Sequence, residues 1–449
     1  MLKRKIDSVL EQWKQKSDRK PLIVKGARQI GKTASILQFG TTHYAGVVAI
    51  NFALQPQFRK IFDEGFEVDS ILRNISLLDP TCRFVPGKTL LFFDELQECP
   101  NCATSLKSFK LDGRFDVICS GSLMGIYYQQ IESNSVGYKE DYEMHSMDFE
   151  EFLWAKGYDA RQIDDMYSHI AGLTPFSQME MDVFMALFRD YMVLGGMPEV
   201  VNRYIQSGTF SGTLQLQRQL LLDYEEDITK YATGFDKAKV LNVYRHISTF
   251  LAKENKKFQV TKIAAGARNR EYVGAMEWLA NAGIISVCYC LQTPELPLRG
   301  NYDPKQYKVY FRDTGMLIAS LDEEAQEDLR ANRNFNTYKG AIYENIIGDM
   351  LVKQGYGLYF YKNGKSTIEM DFFVRDASSL VPIEVKAGDN ATASLANLTD
   401  TASGKYSDIR FGIKFCNKNV GFNGRFYTLP YFTAFLLRRF LRERPQNND

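Results

Sequence analysis

The sequence predicts an α/β protein whose first part is a parallel sheet with a phosphate-binding loop at the C-terminal ends of its strands. Three observations predict it. The stretch Gly26-Ala27-Arg28-Gln29-Ile30-Gly31-Lys32-Thr33 has the spacing G-x-x-x-x-G-K-[ST]; it follows the apolar run Pro21-Leu22-Ile23-Val24 and precedes Ala34-Ser35-Ile36-Leu37-Gln38, which reads as the start of a helix. Downstream, Leu90-Leu91-Phe92-Phe93 ends in Asp94-Glu95. Between and after these stretches, strand-like and helix-like runs alternate, the pattern of a parallel sheet covered by helices.

In chain order, Leu2 to Trp13 reads as an amphipathic helix leading to the first strand. Gly26 and Gly31 let the backbone curl so that the N–H groups from Gly26 to Ala34 converge on phosphate oxygens, with a helix N-terminus facing the same anion. Lys32 is placed to reach the β/γ-phosphates and Thr33 to ligate Mg²⁺. Val47 to Phe52 reads as a buried strand, and Phe58 to Phe66 and Ile71 to Leu78 as helices. A strand over Thr89 to Phe93 delivers Asp94 to the Mg²⁺ hydration shell and Glu95 to the attacking water as its base. Phe115 to Cys119 is the next strand. Ser120 is the first choice and Ser122 the second for a hydroxyl touching the γ-phosphate or the water; a plain Ser/Gly turn is the alternative.

Length and composition bound the rest. A chain of 449 residues divides into two to four domains. The net charge of +1 excludes a globally basic nucleic-acid binder, so any such contact rests on local patches. The charged, amphipathic start is no secretory signal, and no run approaches the ~18 apolar residues of a membrane span. A cytoplasmic protein without membrane contact is expected. The 7 Cys are odd in number and scattered, as reduced thiols are, and the 4 His are dispersed. Cys99 and Cys102, in CPNC, therefore read as two thiols in a loop and not as half of a zinc site.

Phe149 to Tyr167 and Met179 to Met192 have helical patterns. Gly195-Gly196-Met197-Pro198 breaks them, with a helix restarting near Glu199, and reads as an architectural bend. Leu214 to Tyr231 is amphipathic, its Glu225-Glu226-Asp227 a solvated face. Helical Lys239 to Leu251, then Phe258 to Ile263, Ala264 to Arg268, helical Glu271 to Ala282 and the strand Ile284 to Leu291 follow the order of a winged helix. Lys253, Lys256, Lys257, Lys262, Arg268 and Arg270 cluster there, either as a phosphate-contacting face or as ordinary surface lysines and arginines.

In the last third, Lys339 to Gln354 reads as a long helix carrying Glu344. Leu358 to Tyr361, Glu369 to Val374 and Pro382 to Lys386 read as strands, followed by helical Ala393 to Leu398, the strand Arg410 to Phe415 and a closing helix from Pro430 to Arg442. Glu384 and Lys386 alternate along a strand and face one side, with Asp371 on the strand before and Glu344 on the helix before that. Carboxylates and a lysine so grouped can hold Mg²⁺, which activates a water and neutralises a scissile phosphate, with Lys386 positioning the nucleophile. An ordinary carboxylate–lysine pair on a strand is the alternative.

GARQIGKT, LLFFDELQECP, DVICSGSLMG, MDFEEFLWAKG (Met147 to Gly157), GGMPEVV (Gly195 to Val201) and DYEEDITKYA (Asp223 to Ala232) occur here in one order over almost the whole chain. In this the chain resembles the bacterial and archaeal AAA-type ATPases that carry a C-terminal domain of unknown function with a nuclease-like core. The resemblance implies an AAA+ fold binding ATP with Mg²⁺. It departs at Gly137-Tyr138-Lys139, where many relatives have Gly-Arg, so no arginine finger is assigned and a motor ring is disfavoured. The order Glu…Asp…Glu-x-Lys resembles the PD-(D/E)XK nuclease superfamily, some members of which do not cut. Four segments are expected: an ATPase domain over 1–145, a helical lid over 146–235, a winged-helix-like domain over 236–325 and a nuclease-like domain over 326–449. The expected function is ATP hydrolysis by Lys32 and Glu95 controlling a site of Asp371, Glu384 and Lys386 that acts on DNA or RNA. The alternative is a nucleotide-gated switch or protein-docking module that cuts nothing.

Overall fold

The computed structural model describes residues 2–122, 135–232, 236–251, 271–331, 333, 336–362, 368–388 and 392–444. The basic cluster from Lys253 to Arg270, and the expected elements over 258–268, lie outside the described residues. The chain forms two compact units, Met1–Ser146 with Asn281–Gly283, and Met147–Ala280 with Ile284–Asp449.

The first unit begins with helix α1 (Lys5–Gln15), which buries Ile6, Leu10 and Trp13 on one face. Strand β1 (Leu22–Gly26), helix α2 (Lys32–His43) and strand β2 (Gly46–Asn51) follow. Pro56–Phe62 is a 3₁₀ turn where a longer helix was expected; Pro56 starts it, and the chain reverses at Gly65 with φ +108°. Helix α3 (Val68–Leu78) buries Val68, Ile71, Leu72 and Ile75, an i, i+3, i+4, i+7 stripe. Strand β3 (Thr89–Asp94), helix α4 (Pro100–Asp112), strand β4 (Asp116–Ser122) and strand β5 (Glu140–Glu143) complete the unit. The sheet order is β2-β3-β4-β1-β5 with every pair parallel. Its inner strands are nearly continuous apolar runs because both faces are covered, whereas the edge strand β5 reads Glu-Asp-Tyr-Glu and is half exposed. Phe52, Phe62 and Phe93 pack ring to ring with centroids 5.8 to 6.2 Å apart. Each such buried side chain contributes roughly 1.5–3 kcal/mol.

The second unit opens with helices α5 (Phe149–Ala155), α6 (Ala160–Ala171), α7 (Gln178–Leu194), α8 (Pro198–Ser207), α9 (Thr213–Tyr231), α10 (Lys237–Leu251) and α11 (Val273–Asn281). The continuous helix expected from Phe149 to Tyr167 is two. Gly157, at φ +94°, ends the first, and Asp159 caps the second by accepting from the Gln162 N–H. The Gly195-Gly196 bend is architectural. Gly196 N–H donates to Asp313 Oδ2 at 2.8 Å, Met147 N–H donates to Gly196 O at 2.7 Å, and a Cβ on Gly195 would lie 2.0 Å from Asp313 Oδ1.

Next come strands β6 (Ile285–Leu291) and β7 (Tyr302–Phe311), helices α12 (Thr314–Ala319), α13 (Ala325–Arg330) and α14 (Asn336–Lys353), and strands β8 (Leu358–Lys362), β9 (Glu369–Met370), β10 (Phe372–Arg375) and β11 (Leu380–Val385). Helix α15 (Ala393–Leu398), strands β12 (Gly412–Cys416), β13 (Gly421–Phe422) and β14 (Phe426–Pro430) and helix α16 (Leu437–Glu443) close the chain. One sheet runs β7-β6-β8-β9 and the other β10-β11-β12-β14-β13. The expected single strand Glu369 to Val374 is broken at Asp371, where the chain leaves the first sheet for the second. In the first sheet β6 pairs antiparallel with β7 and parallel with β8. Residues from the expected 236–325 and 326–449 segments thus share one sheet inside one compact unit. The order expected of a winged helix is represented among the described residues by α10, α11 and β6.

Candidate functional site

The phosphate loop connects β1 to α2 through backbone that few residues adopt: Gln29 has φ +60° and Gly31, the residue capping α2, has φ +92°. Gly31 has no side chain with which to cap the first-turn N–H groups of α2. A Cβ on Gly26 would lie 2.4 Å from both Met144 O and Ile30 Cδ1, so only glycine fits. Ile30 is buried and fixes the loop's underside to the core. Arg4 braces it as well, its guanidinium donating to Ile30 O at 2.7 Å and to His145 O at 2.8 Å. Lys32 is buried, and its Nζ donates to Gly26 O at 3.1 Å and Ala27 O at 2.7 Å. Burial pushes its ammonium down to about 8, against the opposing pull of Glu95 and Asp94.

Asp94 is the hub of the site. Its Oδ2 accepts from Thr33 Oγ1 at 3.0 Å and from Asn51 Nδ2 at 2.9 Å; its Oδ1 accepts from the Ser120 hydroxyl and from the Glu95 N–H at 3.1 Å. Strand order explains the convergence. Asn51 is in register with Asp94 on the neighbouring strand, and β4, inserted between β1 and β3, brings Ser120 to the other side. Sequence reasoning missed Asn51; its signal was a lone amide at the end of an apolar strand. Ser120 was read as a hydroxyl for the γ-phosphate, but the structure turns it onto Asp94. Ser122, the second choice, ends β4 in register with Gly26, and its hydroxyl is buried with no hydrogen-bond partner among the described residues. Glu95 follows with φ +57°, and its Oε2 accepts from Gln97 Nε2.

The glycine cradle, the uncapped helix N-terminus, the buried ammonium and the Thr33–Asp94 pair fit a triphosphate with Mg²⁺, which Thr33 and Asp94 would hold. Arg28, Gln29 and Ala34 line the loop and the first turn after it. Lys139 pairs with Asp141 at 2.6 Å. Cys99 and Cys102 are both buried, which pushes their thiols up, Cys99 to about 11.

In the second unit, the predicted carboxylates separate into two groups. Glu344, buried on α14, accepts on Oε1 from Lys308 Nζ at 2.9 Å and from the Tyr310 hydroxyl. Lys308 also lies 3.7 Å from Glu369 Oε1. Glu344 was expected as a metal ligand; a lysine from β7 already neutralises it. Lys308 was missed, although a lysine inside the apolar run Tyr307 to Phe311 demands a buried counter-charge. Asp371, Glu384 and Lys386 form the other group. Asp371 Oδ2 accepts from the Val385 N–H at 2.8 Å, and Lys386 Nζ pairs with Glu384 Oε1 at 2.7 Å. Glu384 Oε2 is buried with no hydrogen-bond partner among the described residues, and burial raises the carboxyl's pKa against the pull of Lys386, with Asp371 near enough to push it further. Among the described residues no group of three or more His, Cys, Asp or Glu is arranged to hold a metal. Of the three carboxylates expected at the site, Glu344 is held apart by Lys308, and Asp371 and Glu384 are the two that remain beside Lys386.

No helix among the described residues is long and apolar enough to cross a membrane. Residues 18–153 match the family model of an AAA domain, residues 185–327 that of a domain of unknown function (DUF8612) and residues 339–432 that of another (DUF4143). No curated protein sequence matches the chain. Among solved structures, a Walker-type ATPase of Pyrococcus abyssi is similar at 12% identity and TM-score 0.42, covering 71% of this chain and 96% of its own. RuvB of Thermotoga maritima is similar at 13% identity and TM-score 0.31, covering 73% and 93%. AMPPCP-bound DnaA from Aquifex aeolicus is similar at 12% identity and TM-score 0.28, covering 61% and 85%. Identity this low carries no activity with it.

Proposed function

We propose that the AAA domain of residues 18–153 binds ATP with Mg²⁺ and hydrolyses it, and that the nucleotide cycle controls a nuclease-like C-terminal domain acting on nucleic acid. The observation that carries the first half is Asp94, one carboxylate joined to the phosphate-loop Thr33 and flanked by Glu95. Lys32 holds the β/γ-phosphates. Thr33 and Asp94 hold Mg²⁺, whose charge offsets that of the phosphates. Glu95 takes the proton of the attacking water, Ser120 orients Asp94, and Ser122 is the hydroxyl left to meet the γ-phosphate or the water.

The second half is supported by the order α14, β8, β9 and β10, β11, α15, β12, with β10 antiparallel and β12 parallel to β11. Asp371, Glu384 and Lys386 stand at one end of it, and a substrate phosphate is the ligand their lysine would attract. One observation favours a second reading, a nucleotide-gated switch whose C-terminal domain docks a partner and cuts nothing: Lys308 removes Glu344 from the cluster.

One experiment separates the readings. ATP turnover and cleavage of labelled single- and double-stranded DNA and RNA are measured together, with Mg²⁺ or Mn²⁺, with and without ATP. Glu95→Gln is expected to keep ATP binding and lose about 10²–10⁴-fold in hydrolysis. Asp371→Ala and Lys386→Ala are expected to abolish cleavage; cleavage unchanged in both removes the nuclease site, and no cleavage by wild type on any substrate leaves the switch.

A further inference from the structure

Gln97 has no role in the site as described so far, yet its amide touches the base. It follows β3 in the short turn Leu96–Glu98, and its Nε2 donates to Glu95 Oε2. Its Oε1 is buried with no hydrogen-bond partner among the described residues and lies against Gly121 of β4, where an added Cβ would stand 3.0 Å from it. The glycine between the two serines thus makes room for the amide. A buried carbonyl oxygen left unpaired is costly, and the turn bears that cost while the other end of the amide goes to Glu95. Glu95 itself sits at φ +57°, a conformation uncommon outside glycine, so its side chain leaves the strand end in one fixed direction.

We propose that Gln97 is the positioning residue of the hydrolytic base: its amide N–H aims the Glu95 carboxylate. This rests on the hydrolysis reading above. A base misaligned by a fraction of an ångström loses rate without losing the substrate. Removing the amide therefore lowers kcat, while ATP binding stays.

The test compares wild type, Gln97→Met and Gln97→Glu by steady-state ATP turnover, with nucleotide affinity and melting midpoint measured alongside. Methionine keeps the side chain's length without the donor; glutamate places a second negative charge beside the base. Both variants are expected to lose about 10–100-fold in kcat, with KM, nucleotide affinity and melting midpoint little changed. An active wild type with unchanged kcat in Gln97→Met overturns this proposal alone, as does a rise in kcat, which would make the amide a restraint. Loss of activity only in step with a lowered melting midpoint overturns it too. A wild type that binds ATP but never turns it over removes both this proposal and the hydrolysis reading.

Discussion

Raising the pH past 8 should weaken nucleotide binding through one side chain. Burial pushes the Lys32 ammonium from its ordinary 10.5 to about 8. In the unfolded chain the lysine keeps its proton up to about 10.5, so the folded chain bears a penalty for the buried charge that is full below about pH 8 and gone above about 10.5; this group alone makes stability rise with pH across that window. Binding runs the other way, because phosphate oxygens attract the ammonium and not the amine. With the pKa near 8, about nine-tenths of the free sites are charged at pH 7 and about one-tenth at pH 9, which makes affinity roughly tenfold lower at pH 9, about 1.4 kcal/mol. Bound phosphates restore the charge, so above pH 8 each nucleotide takes up close to one proton. Calorimetry with ATP and Mg²⁺ at pH 7 and 9, in buffers of different ionisation enthalpy, measures both quantities. Lys32→Arg is the control, since a guanidinium stays charged throughout and its affinity should be flat with pH, whatever its absolute value. Wild-type affinity equal at the two pH values, with no proton uptake at pH 9, would refute the reasoning.

Lys308→Met should destabilise the protein by about 3–5 kcal/mol by leaving Glu344 without its cation, and adding Glu344→Gln should recover a large part of that, read from urea midpoints. Equal midpoints for the single and double variants would show that the pair is not coupled. Gly195→Ala should lower the melting midpoint far more than Gly208→Ala. Both glycines have positive φ, but the first would drive a Cβ onto Asp313 and the second meets nothing within 4 Å. The expected costs are more than about 3 kcal/mol against roughly 1 kcal/mol.

The phosphate loop was legible because its function is local: Gly26, Gly31, Lys32 and Thr33 are read from spacing, and the flanking strand and helix from periodicity. Asp94 and Glu95 were legible for the same reason, as acids ending an apolar run. Asn51 was not, because its part depends on which strand lies beside β3 and in what register. The split of the expected strand at Asp371 was hidden too. The run from Glu369 to Val374 shows no break in sequence, and the change of sheet comes from pairing with β8 on one side of Asp371 and β11 on the other. The Gly157–Asp159 break between α5 and α6 could have been read, since glycine followed by an aspartate capping box is a stop and a start. Glu344 was assigned from its place on a helix before three strands, but its partner Lys308 lies 36 residues away on another element, beyond what any local pattern carries.

The pairing of β6 with β8 also limits how this chain can be cut or recombined. A gene fragment beginning at residue 326 would encode the whole 339–432 family match and still lack β6, β7 and Lys308. Its β8 would present an open edge, ready to pair with another chain, and Glu344 would be stripped of its ammonium. Such a fragment should be recovered as aggregate, whereas one beginning before β6 keeps both the neighbouring strand and the counter-charge. Inheritance of the C-terminal domain without the segment before it would require a new strand and a new cation at the same time.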